Sequence, residues 1–503
     1  MEGVRGRLAI GSLWTAGIRV FINLLGAANT LVLARLLTPS DFGLVAIATI
    51  VFTIVNAFTE LSLASALIQH PDPKRKHFDT AWTLNVMRAL IVAAILFCSA
   101  HVIAIVFGDK RLVLITYALA FTSLVTGMVN PKMVEFRRRL SFHQEMFVEL
   151  ANKLAGLIVA ITIAVLFRTY WAIVFGLLAA QLTGTLLSYL LIPYLPRFSL
   201  IHWRNLFSFS SWLALSSGFN AINYRADQLI VGGVLGTSSL GQYTVGDNLA
   251  SLPVRESTTP LSYVLFPAFS KAQDDKPRLR DMYYRAQRLL VAVALPVGVG
   301  FALVAEPLVH LVMGPEWSSA ALVIQILSTI FALHAFSMPL TPLAMGVART
   351  RMLFKRDVVN LLVRYPLIFA GLFSGGLLGL LLARCVSGLF GVMLDMYLAR
   401  MLVQASLIRQ VRNSARALTA TLAMVLTVWG LESLGVDGSN LLEIACLVFA
   451  GAITYFGITA MLWLWSGRPA GPEQEAMEMF QFLQRRLQSR HVTADKPEHS
   501  NSV

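Results

Sequence analysis

Stretches of about 20 apolar residues, each long enough to cross the hydrocarbon of a bilayer as a helix, recur from one end of the chain to the other. Fourteen can be drawn, at roughly 9–33, 43–68, 80–107, 112–130, 146–167, 170–193, 208–235, 241–268, 287–313, 318–345, 355–374, 377–399, 415–434 and 441–465. Of the 503 residues 56% are hydrophobic and only 14% charged, more apolar surface than a water-soluble fold can hide. The expected fold is therefore an all-α polytopic membrane protein with fourteen transmembrane helices.

A formal net charge of +14 could point to nucleic acid, but its placement excludes that class. With a cytoplasmic N-terminus, the inside segments hold 30 of the 41 basic residues, among them Lys74, Arg75 and Lys76, Arg137 to Arg139, Arg278, Arg280 and Arg285. The outside turns hold four: Arg35, Lys110, Arg111 and Arg168. The excess of Lys and Arg on one side sets orientation in a membrane and places both termini in the cytoplasm. The N-terminal apolar run extends to Leu37 and contains Arg19, too long and too polar for the core of a cleavable signal peptide. Cys98, Cys385 and Cys446 all lie within spans, which gives no disulfide framework and no paired-cysteine metal site.

The outside turns are short, as in "GTSSLG" (236–241) and "SGGLLG" (374–379), whereas inside loops such as "PKMVEFRRRLSFHQE" (131–145) are longer and amphipathic, fit to lie at the headgroup surface. From about Pro472 the chain reads as one weakly amphipathic helix around Met479, Phe480, Leu483 and Leu487, then a disordered end. Sliding the chain by 198 residues lays "TLVLARLLTPSDFGLVAIA" (30–48) on "QLIVGGVLGTSSLGQYTVG" (228–246), matching Ser40 with Ser238 and Gly43 with Gly241. A shift of 206 lays "VFGDK" (106–110) on "VMGPE" (312–316). Two parallel six-span copies follow: an N-terminal lobe over 1–200, a C-terminal lobe over 201–405, spans 13 and 14 over 406–466 and a cytoplasmic tail over 467–503. Two such halves meeting at a central site is a transporter arrangement.

At 100° per residue, span 1 carries Ser12, Thr15, Arg19, Asn23, Gly26 and Thr30 on one face, and span 2 carries Thr49, Thr53, Asn56 and Glu60. Span 7 carries Ser216, Ser217, Asn220, Asn223, Tyr224 and Asp227, and span 8 carries Thr244, Asp247, Asn248, Ser251, Arg255, Thr258 and Ser262 on a helix that Pro253 and Pro260 are expected to kink. The most polar stripes thus fall on repeat-related pairs of spans. Arg225 lies about 140° off the span-7 stripe, facing either a neighbouring helix or an unwound turn.

Six arginines lie within spans: Arg19, Arg88, Arg225, Arg255, Arg364 and Arg384. All six in contact with lipid at mid-bilayer would cost about 15–20 kcal/mol, more than the net stability of most folds; most must face protein or water. Pairing with Glu60, Asp227, Asp247, Glu256, Asp357 or Asp395 as interhelical locks is one account. A cavity that binds an anionic headgroup on a lipid tail is the other, since guanidinium forks match phosphate oxygens. The GxxxG spacings at Gly371, Gly375 and Gly379 and at Gly232 and Gly236 fit close helix packing. His70 and His77 flank "PDPKRK", and His101, His310 and His334 have no nucleophile or carboxylate partner at telling spacing. No P-loop, HExxH or nucleophile elbow occurs; no cofactor and no metal is expected, and energy must come from an ion gradient, the membrane potential or the substrate gradient.

The runs "LARLLTPSDFGLVAIA" (33–48), "FRRRLSFHQE" (136–145), "DQLIVGGVLGTSSLGQYTVGDNLASLP" (227–253), "VLFPAFS" (264–270) and "AEPLVHLVMGPEWSSAALVIQILS" (305–328) make the chain resemble the Wzx-type polysaccharide flippases. These form the polysaccharide-transport branch of the multidrug/oligosaccharidyl-lipid/polysaccharide exporter superfamily. The resemblance implies two six-helix lobes in a V around a central cavity lined by spans 1, 2, 7 and 8, in a bacterial cytoplasmic membrane. It implies an undecaprenyl-diphosphate-linked glycan as cargo, with membrane lipids, a polysaccharide polymerase and a chain-length regulator as partners of a monomeric transporter. Its cationic cavity maps onto Arg19 and Arg255 first. Asn23, Arg88, Asn220, Asn223, Arg225, Arg364 and Arg384 complete the candidate binding set, with Glu60, Asp227 and Asp247 as candidate coupling carboxylates. The competing readings are a drug/cation antiporter, which favours an acidic cavity, and a membrane glycan polymerase or ligase, which needs a sizeable outer loop.

Overall fold

A computed structural model describes residues 2–467 apart from positions 62, 71, 140, 142, 202 and 437; the side chains of 2–16, 65, 69, 204–216, 220 and 263 lie outside that description. The tail with its expected helix at 479–487, and the side chains of Ser12, Thr15, Ser216 and Asn220, are thus outside the described residues. The chain runs α1 (Glu2–Leu36), α2 (Pro39–Thr59), α3 (Leu63–Gln69), α4 (Arg75–Phe107), α5 (Arg111–Gly127), α6 (Val134–Arg138), α7 (His143–Phe167) and α8 (Trp171–Leu191). It continues with α9 (Trp203–Lys271), α10 (Lys276–Leu303), α11 (Ala305–Val312), α12 (Ser318–Leu333), α13 (Leu340–Gly346) and α14 (Thr350–Val403). The last three are α15 (Leu407–Arg412), α16 (Ala415–Ser433) and α17 (Leu441–Trp465). No strand occurs among the described residues. Nine helical stretches among them are long and apolar enough to cross a membrane, or ten when the bent pair Arg111–Gly127 and Pro131–Arg138 counts as one.

Every apolar window of the sequence falls on helix, with local differences that have physical causes. The window 43–68 is broken, because α2 stops at Thr59 with Glu60 in an extended conformation before α3 resumes. The windows 208–235 and 241–268 share α9, and its one departure from helical dihedrals is Gly236, at φ 85° and ψ 175°. Pro253 and Pro260 lie inside the helix and keep helical dihedrals, so the departure from helical dihedrals in this stretch belongs to the glycine. α14 breaks in the same way at Gly375 and Gly376, and folds back so tightly that a Cβ on Gly379 would lie 2.0 Å from the Gly371 carbonyl oxygen. Of the two GxxxG runs, Gly375 and Gly236 are turn points, while Gly371 and Gly379 make the close approach.

Contacts divide the chain into two compact units: 1–249 with 308–324 and 368–381, and 250–307 with 325–367 and 382–503. In the first unit α7 and α8 pack through small residues, with a Cβ on Gly156 falling 2.9 Å from the Gly176 carbonyl and one on Gly176 falling 2.8 Å from the Ala160 methyl. Small residues let backbones approach where lipid supplies no hydrophobic drive between helices. α2 starts on a capping box: the Thr38 hydroxyl accepts from the Asp41 amide, the Asp41 carboxylate accepts from the Thr38 amide, and Pro39 opens the helix. That turn meets the turn after Gly236. A Cβ on Gly43 would lie 1.7 Å from the Thr237 carbonyl oxygen, and one on Gly241 would lie 1.8 Å from the Pro39 carbonyl oxygen.

At the 198-residue shift Gly43 corresponds to Gly241 and Pro39 to Thr237, so the contact is reciprocal, as across a two-fold axis. Ser40 and Thr237 hydrogen bond across it at 3.1 Å. The other repeat pair, Gly108 and Gly314, also matches, both with positive φ. Trp317, buried beside this junction, donates its indole N–H to the Ala34 carbonyl at 2.9 Å and packs edge-on against Phe42.

The second unit has its core around Val254, Leu290, Leu295, Phe336, Met396 and Ala417. Gln410, fully buried, accepts from the Tyr283 hydroxyl at 3.1 Å and donates to the Met396 and Ala405 carbonyls at 3.1 Å. The Gln287 amide donates to the same Gln410 oxygen and to the Phe336 carbonyl. These bonds fix the chain leaving α14, at the non-helical turn before α15.

Candidate substrate-binding site

The polar stripes separate into two chemical kinds once backbone bonding is accounted for. On α2 the Thr49, Thr53 and Thr59 hydroxyls donate to carbonyls one turn earlier, and so does the Asn56 amide. On α9 Thr258, Thr259 and Ser262 do the same. A hydroxyl bonded to its own helix needs no partner from outside. The groups left to act on a ligand are the charged residues and amides.

In the first unit Arg19 is exposed and Asn23 half-buried on α1, with Gly26 and Thr30 further along. Lys153 of α7 reaches this helix, its ammonium 3.6 Å from where a Cβ on Gly26 would stand. No described carboxylate pairs with it. Lys153 lies about 15 Å into α7 at 1.5 Å per residue, near mid-span, where a cation in contact with lipid costs about 2.5–3.5 kcal/mol. The sequence showed this lysine inside an apolar window, but only packing shows that it joins the Arg19 helix. Arg88 is half-buried, within electrostatic reach of the exposed Glu60, and its Nε is buried with no hydrogen-bond partner.

The span-7 stretch of α9 stays helical through Arg225, which excludes an unwound turn there. Arg225 Nη1 donates to Gln228 Oε1 at 3.1 Å, one turn on. Asp227 is 1% exposed and accepts from the Tyr243 hydroxyl at 2.8 Å. Asn223 and Asp247 are half-buried. Phe58 of α2 fills the space beside Gly218, 2.4 Å from where a Cβ would sit.

In the second unit Arg255 is exposed and bonds its neighbour Glu256 at 3.1 Å, a surface pair of little energetic weight. Arg364 and Arg384, twenty residues apart on α14, both lie within electrostatic reach of His334, and the Arg384 guanidinium sits 6.0 Å from the Phe331 ring centre. His334 had no telling sequence neighbour; its partners arrive from spans 11 and 12. Arg356 bonds its neighbour Asp357 at 2.8 Å and approaches Asp395, beyond the break at Gly375 and Gly376, at 3.7 Å, so the second pair links the two arms of α14.

The basic loop after α5 has a structural part to play. Arg137 pairs with Glu145, Arg139 with Glu135, and Arg138 donates to the Leu67 and His70 carbonyls at 2.8 and 2.6 Å, closing the end of α3. His70 and His77 lend their Nδ1 atoms to the Asp72 and Lys74 amides. Beyond the spans, Tyr194 donates to the Asp79 carboxylate, and burial together with that carboxylate pushes its phenol above the ordinary range. Arg111 bonds Asp109 at 2.7 Å and holds its carboxyl below the ordinary value. Among the described residues no three His, Cys, Asp or Glu side chains are grouped to hold a metal ion.

The fold is that of polytopic lipid flippases and multidrug transporters. A lipid II flippase MurJ in an inward closed conformation superposes with TM-score 0.65 at 14% identity, covering 90% of this chain and 99% of the other. An inward-facing MATE-family multidrug transporter superposes with TM-score 0.60 at 14% identity, over 77% and 98% of the two chains. The profile of the polysaccharide biosynthesis protein family matches residues 32–322, more than half of the chain, and the protein belongs to that family. Relatives include the lipopolysaccharide biosynthesis protein WzxC of Escherichia coli, 26% identical over 81% of this chain and 84% of its own. The succinoglycan biosynthesis transport protein ExoT of Rhizobium meliloti is 24% identical over 84% and 87%. The protein is a multi-pass inner-membrane protein of polysaccharide biosynthesis and transport.

Proposed function

We propose that the protein is a flippase, not an enzyme, that moves a lipid-diphosphate-linked oligosaccharide repeat unit from the cytoplasmic to the outer leaflet for surface polysaccharide. It does so with fourteen spans, both termini cytoplasmic, and two repeat lobes at 1–200 and 201–405 alternating access to a cationic cavity. The observation that carries this reading is the set of cations placed within spans: Lys153 beside the Arg19 helix in one unit, Arg364 and Arg384 within electrostatic reach of His334 in the other. Guanidinium and ammonium groups in a low-dielectric setting hold diphosphate oxygens through charge-assisted hydrogen bonds, while the polyprenyl tail stays in lipid. Arg88, Arg225, Arg255, Asn23, Asn220 and Asn223 supply further contacts, and titration of Glu60, Asp227 or Asp247 couples transport to an ion gradient. Names of relatives support the substrate class: one takes part in lipopolysaccharide biosynthesis and another in succinoglycan transport.

The test is complementation of a deletion strain. Arg19→Ala and Lys153→Ala are expected to insert at wild-type levels, abolish surface polysaccharide and accumulate the lipid-linked repeat unit in membranes. Normal glycan output from both variants would refute the reading.

A further inference from the structure

The first unit holds a cavity of about 410 Å³ to whose lining α1 contributes nothing. Its walls come from α3, α4, α7, α8 and the 129–137 segment, with the Arg137–Glu145 pair among the lining residues. Some of its polar side chains are spent on the fold. Thr185 donates to the Val125 carbonyl at 3.1 Å, Ser188 to the Thr185 carbonyl, and Asn130 to the Ser188 and Ile192 carbonyls. Four others are not. Asn85, Glu149, Asn152 and Gln181 line the cavity, and their side chains make no hydrogen bond to any described residue. Asn152 Oδ1 is buried without a partner, and Gly184 is what leaves its amide room, since a Cβ there would stand 2.7 Å from Nδ2.

We propose that this cavity is a carbohydrate subsite that takes one or two hydroxylated sugar rings of the transported glycan; the proposal rests on the flippase reading above. Three amides that both donate and accept, set with a carboxylate that only accepts, match the mixed donor and acceptor character of vicinal hydroxyls. A buried amide oxygen left unbonded, as Asn152 Oδ1 is, is costly to keep, so a polar guest stabilises the site. The volume falls in the range of small-ligand cavities, about 300–1,000 Å³, and far exceeds the cradle of a metal ion bound at about 2.3–2.6 Å. The lining sets two carboxylates, Glu145 and Glu149, against one guanidinium, Arg137, a balance that disfavours phosphate and leaves the diphosphate to the cationic residues elsewhere and the sugar to this crevice.

The probe is the oligosaccharide released by mild acid from the host's own lipid-linked pool, free of phosphate and lipid, titrated into purified full-length protein. Wild type is expected to bind it, whereas Asn152→Leu and Gln181→Leu bind at least about tenfold more weakly. Should Asn152→Leu fail to fold, Gln181→Leu, on an exposed side chain, carries the test. Wild-type affinity in a folded variant of either site, or no binding by wild-type protein, overturns the subsite. A deletion strain that still exports its full surface glycan overturns the flippase reading instead, so the two failures are told apart.

Discussion

The reciprocal glycine crossing sets a sharp test of the fold. In Gly43→Ala the new methyl would stand 1.7 Å from the Thr237 carbonyl oxygen. Real Cβ contacts do not fall below 3.0 Å, so the two backbones must part by about 3.0 − 1.7 = 1.3 Å, because a helical carbonyl cannot rotate aside. Overpacking of this kind costs about 1–3 kcal/mol, and the separation also stretches the Ser40–Thr237 bond beyond 3.1 Å. Gly241→Ala meets the Pro39 carbonyl at 1.8 Å and is expected to cost about as much. Since one separation relieves both clashes, the double variant should cost less than the sum, with a coupling of about 0.5–3 kcal/mol. Thermal unfolding of the four proteins in one detergent measures the cycle. Gly43→Ala as stable as wild type, or strict additivity, would refute the crossing.

Tyr243→Phe removes the donor to Asp227, a carboxylate 1% exposed; the expected loss is about 1–3 kcal/mol, read by unfolding, and an unchanged melting temperature contradicts the pair. Tyr194 has its pKa raised by burial and by Asp79, so its contribution is complete below the unfolded tyrosine value near 10 and is lost as pH climbs through the higher folded value. Melting temperature should therefore fall above about pH 10 more steeply in wild type than in Tyr194→Phe; equal slopes would dismiss the assignment.

Much of this protein was legible in the order of its residues. The apolar windows fell on helices because an apolar run of that length has no other solvent than lipid or core. Turns expected at 236–241 and 374–379 became the breaks at Gly236 and at Gly375 and Gly376, and the repeat surfaced as Gly43 packed against the turn that carries Gly241. Neighbours across helices were not legible. A period of 3.6 residues gives the face on which a side chain lies, not the helix that face meets. Lys153 read as one more residue of an apolar window, His334 as a histidine without company, and Arg137 to Arg139 as topology charge.

The sequence by itself determined that the chain is helical, membrane-embedded and rich in arginines within its apolar stretches, since composition and periodicity act locally. Tertiary structure decided which groups each of those charges meets. Asp227 meets Tyr243 and Asp395 meets Arg356, while Lys153 is set over Gly26 and His334 lies within electrostatic reach of Arg364 and Arg384. The reason is physical: desolvation and pairing energies depend on distances of a few ångströms between helices far apart in sequence, and no local pattern encodes them.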